Sequence, residues 1–231
     1  MRVAILIDGG FYRKRAKCLW GEKAPSERAD ELFAYCLAHV RYKETRGSEA
    51  SSLYRIFYYD CEPIKKKVYH PLLKRTIDLS KNDTYQWALD FLEELKKKRK
   101  VALRLGELSE TSARYQLDDG VAKKLFAETM SLADVKETDF SFKAMQKGVD
   151  MKIGLDIASL AYKKQADQIV LISGDSDFVS AAKLARREGM DFILDPMWAS
   201  IKKNLSEHVD GIRSPTKKPA SAMPKLDDLI A

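Results

Sequence analysis

The chain opens on a continuous apolar run, Val3-Ala4-Ile5-Leu6-Ile7, that stops at Asp8-Gly9-Gly10. A run with no polar alternation suits a strand covered on both faces, the usual situation in a parallel sheet. Similar runs recur at Leu53–Tyr59, Val101–Leu105, Ile169–Ile172 and Phe192–Leu194. Between them the apolar positions fall at helical spacing. Helices are predicted over Phe11–Leu19, over a segment from Pro25-Ser26 to Tyr42, from a cap at Asn82-Asp83-Thr84 to Lys98, over Gly148–Lys164, and over Phe178–Arg187 closed by Gly189. Strand and helix thus alternate, which predicts an α/β fold: three layers, with a mostly parallel, doubly wound central sheet.

Two stretches break the alternation. Residues 110–145 lack a clear period apart from a short helix expected over Val121–Met130, and they read as an insertion or lid on a domain spanning 1–210. Residues 211–231 hold three prolines and few apolar side chains, and are expected to form a flexible C-terminal tail.

Composition narrows the class. The chain has 231 residues, 45% of them apolar, with 41 basic and 34 acidic side chains giving +7. A chain of this size buries about 70% of its unfolded surface and needs no covalent staples. Cys18, Cys36 and Cys61 are odd in number and lack CxxC spacing, which points to reduced thiols rather than a disulfide framework or zinc site. The first apolar run is too short for a signal-peptide core or a membrane span, so a cytoplasmic protein with no membrane partner is expected.

Candidate chemistry gathers at strand ends. In open α/β sheets the active crevice lies outside the carboxyl ends of the strands. Asp8 closes the first strand, and Ile169–Ile172 runs directly into Ser173-Gly174-Asp175-Ser176-Asp177-Phe178. Asp150 joins this edge if the helix it opens starts there. Crowded carboxylates repel one another unless a cation compensates them, and hard oxygen donors without histidine favour Mg²⁺ or Mn²⁺. Such ions can activate water for in-line displacement at phosphorus. The Gly174-Asp175-Ser176 turn equally suits a tight strand exit and a helix cap.

Three segments in this order, Ile7-Asp8-Gly9, Lys147-Gly148-Val149-Asp150 and Ser173–Phe178, resemble the NYN family, specifically its LabA-like bacterial branch. That family belongs with the PIN-like nucleases, and its GDxDF-type turn is similar to one in the flap endonucleases. The resemblance spans roughly residues 1 to 210. It implies a PIN-like sheet and a metal-dependent ribonuclease site in which Asp8, Asp150, Asp175 and Asp177 hold magnesium or manganese; it also makes a homodimer a reasonable expectation. The chain departs from simpler members in its 110–145 insertion, and in carrying Gly10-Phe11-Tyr12 where many members place an asparagine.

Asp156 also fits the family pattern, but it lies about 120° around the helix from Asp150 and about 9 Å along it. It aligns with Lys152, Ser159 and Lys163, so a solvated face or an outer supporting role, shared with Ser173, is expected. Asp60 could be an outer member of the site or a loop cap. His39 is expected to be a buried, satisfied residue on an amphipathic helix, and His70 and His208 have no spaced partner.

Residues 60–100 carry 11 basic and 7 acidic side chains, a local +4, whereas residues 110–141 carry 4 and 7, a local −3. Lys65, Lys66 and Lys67, interleaved with Tyr58, Tyr59, Tyr69 and Tyr85, could contact phosphates while the rings stack bases. A solvated helix end accounts equally well for Lys96–Lys100. Lys147, three residues before Asp150, is a candidate phosphate contact. The leading expectation is a ribonuclease acting on single-stranded or structured RNA, and the alternative is an RNA-binding regulatory module with little turnover. A phosphatase of the haloacid dehalogenase type is disfavoured because Gly10 stands where that chemistry requires a second aspartate.

Overall fold

A computed structural model describes residues 1–42 and 50–220. Its centre is a seven-stranded sheet formed by β1 (Arg2–Asp8), β2 (Ser52–Cys61), β5 (Val101–Leu108), β8 (Gln146–Lys147), β9 (Gln168–Ile172), β10 (Asp191–Asp195) and β11 (Gly211–Ile212). Two small hairpins stand apart from it: β3 (Lys67–His70) with β4 (Arg75–Asp78), and β6 (Arg114–Leu117) with β7 (Phe140–Lys143). The helices are α1 (Gly9–Trp20), α2 (Pro25–Arg41), α3 (Asp83–Lys96), α4 (Asp119–Phe126), α5 (Val149–Tyr162), α6 (Val179–Arg187) and the short α7 (Lys203–Ser206).

The sheet order is β11-β10-β9-β1-β2-β5-β8, parallel throughout except for β8, which runs antiparallel to β5. From β1 the chain steps through β2 to β5 on one side, then returns through β9 to β10 and β11 on the other. The order therefore reverses between β1 and β9, the position where a doubly wound sheet opens a crevice at its carboxyl edge. Side-chain parity in β1 divides the core. Val3, Ile5 and Ile7 pack with α1, α2 and α3, whereas Ala4 and Leu6 pack with α5 and α6. All five are fully buried, which is why the sequence shows an unbroken apolar run instead of an alternation. This is the expected three-layer, PIN-like α/β arrangement.

The helices follow the predicted ones to within a few residues. The short helix expected in the insertion is α4, capped by Asp118, whose carboxylate accepts the Gly120 N–H at 2.8 Å. The excursion begins and ends at one place: the Ser109 N–H donates to the Met145 carbonyl at 2.8 Å, and the Met145 N–H donates to Ser112 Oγ at 2.8 Å. The sequence pattern did not anticipate the short strands β3, β4, β6, β7, β8 and β11 or the short helix α7. The β3–β4 and β6–β7 hairpins meet around His70, which is buried and lies with its ring 4.5 Å from Tyr115 and 5.0 Å from Phe140.

The boundary expected at residue 211 needs correction. Gly211 and Ile212 pair with Ile193 and Leu194 as the edge strand β11, and Ser214 donates to Asp195 at 2.6 Å. The remainder of the expected tail, residues 221–231, lies outside the described residues. Among the described residues no helix is long and apolar enough to cross a membrane.

Candidate active site at the carboxyl edge

Asp8 ends β1 and begins α1. Its Oδ1 accepts the Phe11 N–H at 3.0 Å as the helix cap, and its Oδ2 accepts the Ser173 hydroxyl at 3.2 Å. Ser173, fully buried one residue beyond β9, also accepts the Asp175 N–H on the same Oγ at 3.2 Å. One hydroxyl therefore ties the ends of β1 and β9 together across the switch point. Asp175 accepts the Asp177 N–H at 3.0 Å, so the turn does cap the short helical turn that leads into α6. That bond leaves carboxylate lone pairs over, and both aspartates remain exposed.

Asp150 reaches this edge because of β8. That two-residue strand pairs Lys147 with Glu107 and Gln146 with Leu108 near the carboxyl end of β5, and its antiparallel direction turns the chain so that α5 starts at the same edge. Gly148 makes the turn at φ 79°, a left-handed conformation that favours glycine. Asp150 lies exposed in the first turn of α5.

Electrostatics binds these groups into one site. Burial lifts the Asp8 carboxyl above its ordinary range, outweighing the bonds from Phe11 and Ser173, and repulsion from Asp150 and Asp60 lifts it further. Partial desolvation raises the Asp150 carboxyl, exposed though the residue is, with Asp175 and Asp177 adding repulsion. The four aspartates singled out in the sequence thus share one field, although they come from three separate parts of the chain. The donor set, carboxylates without imidazole or thiolate, fits a hard divalent ion. Among the described residues no three His, Cys, Asp or Glu side chains are drawn into a ready-made ligand cage.

Other expected residues are placed elsewhere. Asp156 accepts from the Tyr59 hydroxyl at 2.8 Å and Arg104 Nε at 3.0 Å, so it serves as a strut between α5 and the sheet and not as part of a polar stripe with Lys152 and Ser159. Tyr58 and Tyr59 are fully buried and cannot stack bases, whereas Tyr69 is exposed and Tyr85 half-buried. Lys147 is exposed on β8; Lys65 and Lys67 are exposed, and half-buried Lys66 donates to the Glu110 carbonyl.

Two buried aspartates were underestimated or missed. Asp60, 1% exposed in β2, accepts from Arg13, from the Tyr58 hydroxyl at 2.9 Å and from the Cys61 N–H at 2.8 Å. It lies directly beneath Gly9. Asp195, wholly buried at the end of β10, accepts from Tyr35 at 2.6 Å, Ser214 at 2.6 Å and the Met197 N–H at 2.8 Å, and shares a 2.8 Å hydrogen bond with His39 Nε2. His39 is buried as expected. The chain after Asp195 places Met197 and Trp198 both at left-handed φ, and Arg15 donates to the Met197 carbonyl at 3.2 and 2.5 Å to hold the turn. A run of apolar residues ending in one aspartate was the only sequence mark of this cluster.

A crystal structure of a protein of unknown function from Vibrio parahaemolyticus superposes with a TM-score of 0.45 at 12% identity, covering 91% of this chain and 90% of that one. No curated protein matches the sequence. The family model for the NYN domain matches residues 80–212, more than half of the chain, a span that contains Asp150, Asp175 and Asp177 while Asp8 precedes it. With that match and the three-layer sheet that carries these aspartates, the chain belongs to the NYN domain family, whose members are nuclease-like.

Proposed function

We propose that this protein is a metal-dependent ribonuclease that hydrolyses RNA phosphodiester bonds at the carboxyl edge of β1 and β9. The observation that supports the reading is that Asp8, Asp150, Asp175 and Asp177, from three parts of the chain, act on one another at the carboxyl edge: Asp150 raises the Asp8 carboxyl, and Asp175 and Asp177 raise that of Asp150. Asp8, Asp150, Asp175 and Asp177 would hold Mg²⁺ or Mn²⁺, which when bound supplies Lewis-acid activation of water and neutralises charge at phosphorus. Asp8 is aimed by two hydrogen bonds, from the Phe11 amide and Ser173. Ser173 in turn sets the turn that carries Asp175 and Asp177. Lys147, exposed three residues before Asp150, and Lys65–Lys67, beyond the end of β2, give a phosphate chain a cationic approach to an otherwise acidic edge.

The test is cleavage of labelled single-stranded RNA with Mn²⁺ by the wild type, Asp8→Asn and Asp175→Asn. Each variant is expected to lose at least about 100-fold in rate, the scale typical of removing one precisely placed charged group from an active site. Equal cleavage by all three proteins refutes the assignment. A second reading, an RNA-binding regulatory module with little turnover, is favoured by the lack of three ligands closed on one point among the described residues. It predicts salt-sensitive binding without metal-dependent products.

A further inference from the structure

A cleft of about 690 Å³ opens beside the aspartates, between α1, the start of α3 and the β6–β7 hairpin. Its inner end includes Asp60 and Gln146. Gln146 also borders the aspartate edge: a Cβ placed on Gly10 would stand 3.5 Å from Asp8 Oδ1 and 3.7 Å from Gln146 Nε2. The Gln146 end of the cleft therefore neighbours Asp8 across Gly10. The walls carry Tyr85 from the first turn of α3, and Tyr115 and Phe142 from the hairpin. Tyr115 packs edge-on to Phe142 at 6.0 Å and is braced from behind by buried His70, so the aromatic wall is stiff.

Four cationic side chains line the cleft against three carboxylates, with Arg13 and Lys17 towards the α1 side. Arg13 is paired with Asp60, Lys17 with Glu22, and Lys23 and Arg28 both with Glu31; the Lys17–Glu22 pair is the exposed one, and the one a phosphate most readily replaces. The volume falls within the 300–1,000 Å³ range of small-molecule pockets. Aromatic walls, an exposed lysine on the rim and a near end that neighbours Asp8 match a nucleotide: a π-face for the ring, and a cation for its phosphate.

We propose that this cleft holds one unpaired nucleotide of the RNA strand, its base against Tyr85, Tyr115 and Phe142 and its flanking phosphates on the Arg13 and Lys17 side, adjacent to the phosphate presented to Asp8. The identity of the strand rests on the ribonuclease reading. The 110–145 insertion is then a substrate wall that demands an unpaired base, since a base engaged in a duplex cannot enter a cleft of this shape.

The test separates binding from cleavage. Affinity for a fluorescent pentauridylate, and for the same oligomer lacking its central base, is measured by anisotropy in EDTA with the Asp8→Asn chain as background. Removing the base is expected to weaken binding about tenfold, the scale of one base–aromatic stack. Tyr85→Ala should cost a similar factor on the intact oligomer and little on the abasic one, while Tyr85→Phe restores binding. Thr84→Trp, a change at an exposed lining position, should block the cleft without touching the core. Unchanged affinity in Tyr85→Ala and Thr84→Trp, equal affinity for both oligomers, or no binding at all overturns the proposal. Loss of binding in these variants beside a wild type that cleaves nothing with Mn²⁺ upholds the cleft and defeats only the catalytic reading.

Discussion

Replacing Gly9 by alanine probes how closely the fold and the aspartate edge are coupled. Gly9 is the first residue of α1, buried directly after Asp8, and a Cβ there would stand 2.5 Å from Asp60 Oδ2 and 2.6 Å from the Tyr58 Cζ and hydroxyl oxygen. Real separations are not that short, so one side must move. Tyr58 is fully buried and its ring is packed edge-on against Phe91 at 5.7 Å; Asp60 is fixed by Arg13 and the Cys61 amide. Neither can swing into solvent, so the displacement falls on the β1–α1 junction that carries Asp8. Overpacking a tight interior costs about 1–3 kcal/mol, and loosening a hydrogen bond of the buried carboxylate adds about 1 kcal/mol. A loss of about 2–4 kcal/mol corresponds to a fall in Tm of roughly 5–15 °C for a protein of this length. Thermal unfolding followed by circular dichroism measures it. RNA cleavage should fall as well at temperatures where the variant is still folded. In an Asp60→Ala background the alanine at position 9 meets less resistance, so its further penalty should shrink by about 1 kcal/mol or more. A Gly9→Ala protein melting within about 1–2 °C of wild type, or a strictly additive double variant, refutes the coupling.

Other predictions address separate parts of the molecule. Asp8 carries a raised carboxyl, so the native state holds its proton to higher pH than the unfolded chain; its charge weakens the fold as pH rises above the ordinary value of 3.8, and the penalty is complete above the raised native value. Asp8→Asn should therefore unfold at higher denaturant than wild type at pH 7 in EDTA, with the difference vanishing below about pH 3.8; a destabilised variant at pH 7 contradicts this. Asp195→Ala strips a buried carboxylate from Tyr35, His39, Ser214 and the Met197 amide, and should cost about 3–5 kcal/mol by urea unfolding, against about 1 kcal/mol for Tyr35→Phe. Replacing Lys65, Lys66 and Lys67 by alanine should weaken RNA binding and flatten the dependence of log Kd on log salt by about 1 for each phosphate no longer neutralised; an unchanged slope assigns these lysines to solvent alone.

The parallel sheet was legible because doubly buried strands announce themselves as unbroken apolar runs, and β1, β9 and β10 are buried along nearly their whole length. The places of Asp8 and Asp175 were legible for a related reason, since each ends or closely follows such a run and so lies at a sheet edge; that of Asp150 was not, because it depends on the two-residue strand β8. What stayed hidden was cross-chain. Asp60 and Asp195 carry no local mark of Arg13 or His39, which arrive from helices 47 and 156 residues away. Helical geometry separated Asp156 from Asp150 correctly, yet it could not foresee that Tyr59 and Arg104 occupy that face. The four-residue strands β3, β4, β6 and β7 are too short to establish a period, and lysines at Lys65–Lys67 and Lys74 mask the alternation in Lys67–His70.

The hydrogen bond that closes Ser109 on Met145 also has a bearing on how such a protein can change over generations. Everything between those residues leaves the sheet and returns to the same point, and β8 then re-anchors the chain before Asp150. A change in its length is therefore separated from α5 along the chain and falls instead on the β3–β4 hairpin, whose buried His70 packs against Tyr115 and Phe140. Selection can vary this part of the surface while the carboxylate edge keeps its position, an independence of parts written into one backbone hydrogen bond and a two-residue strand.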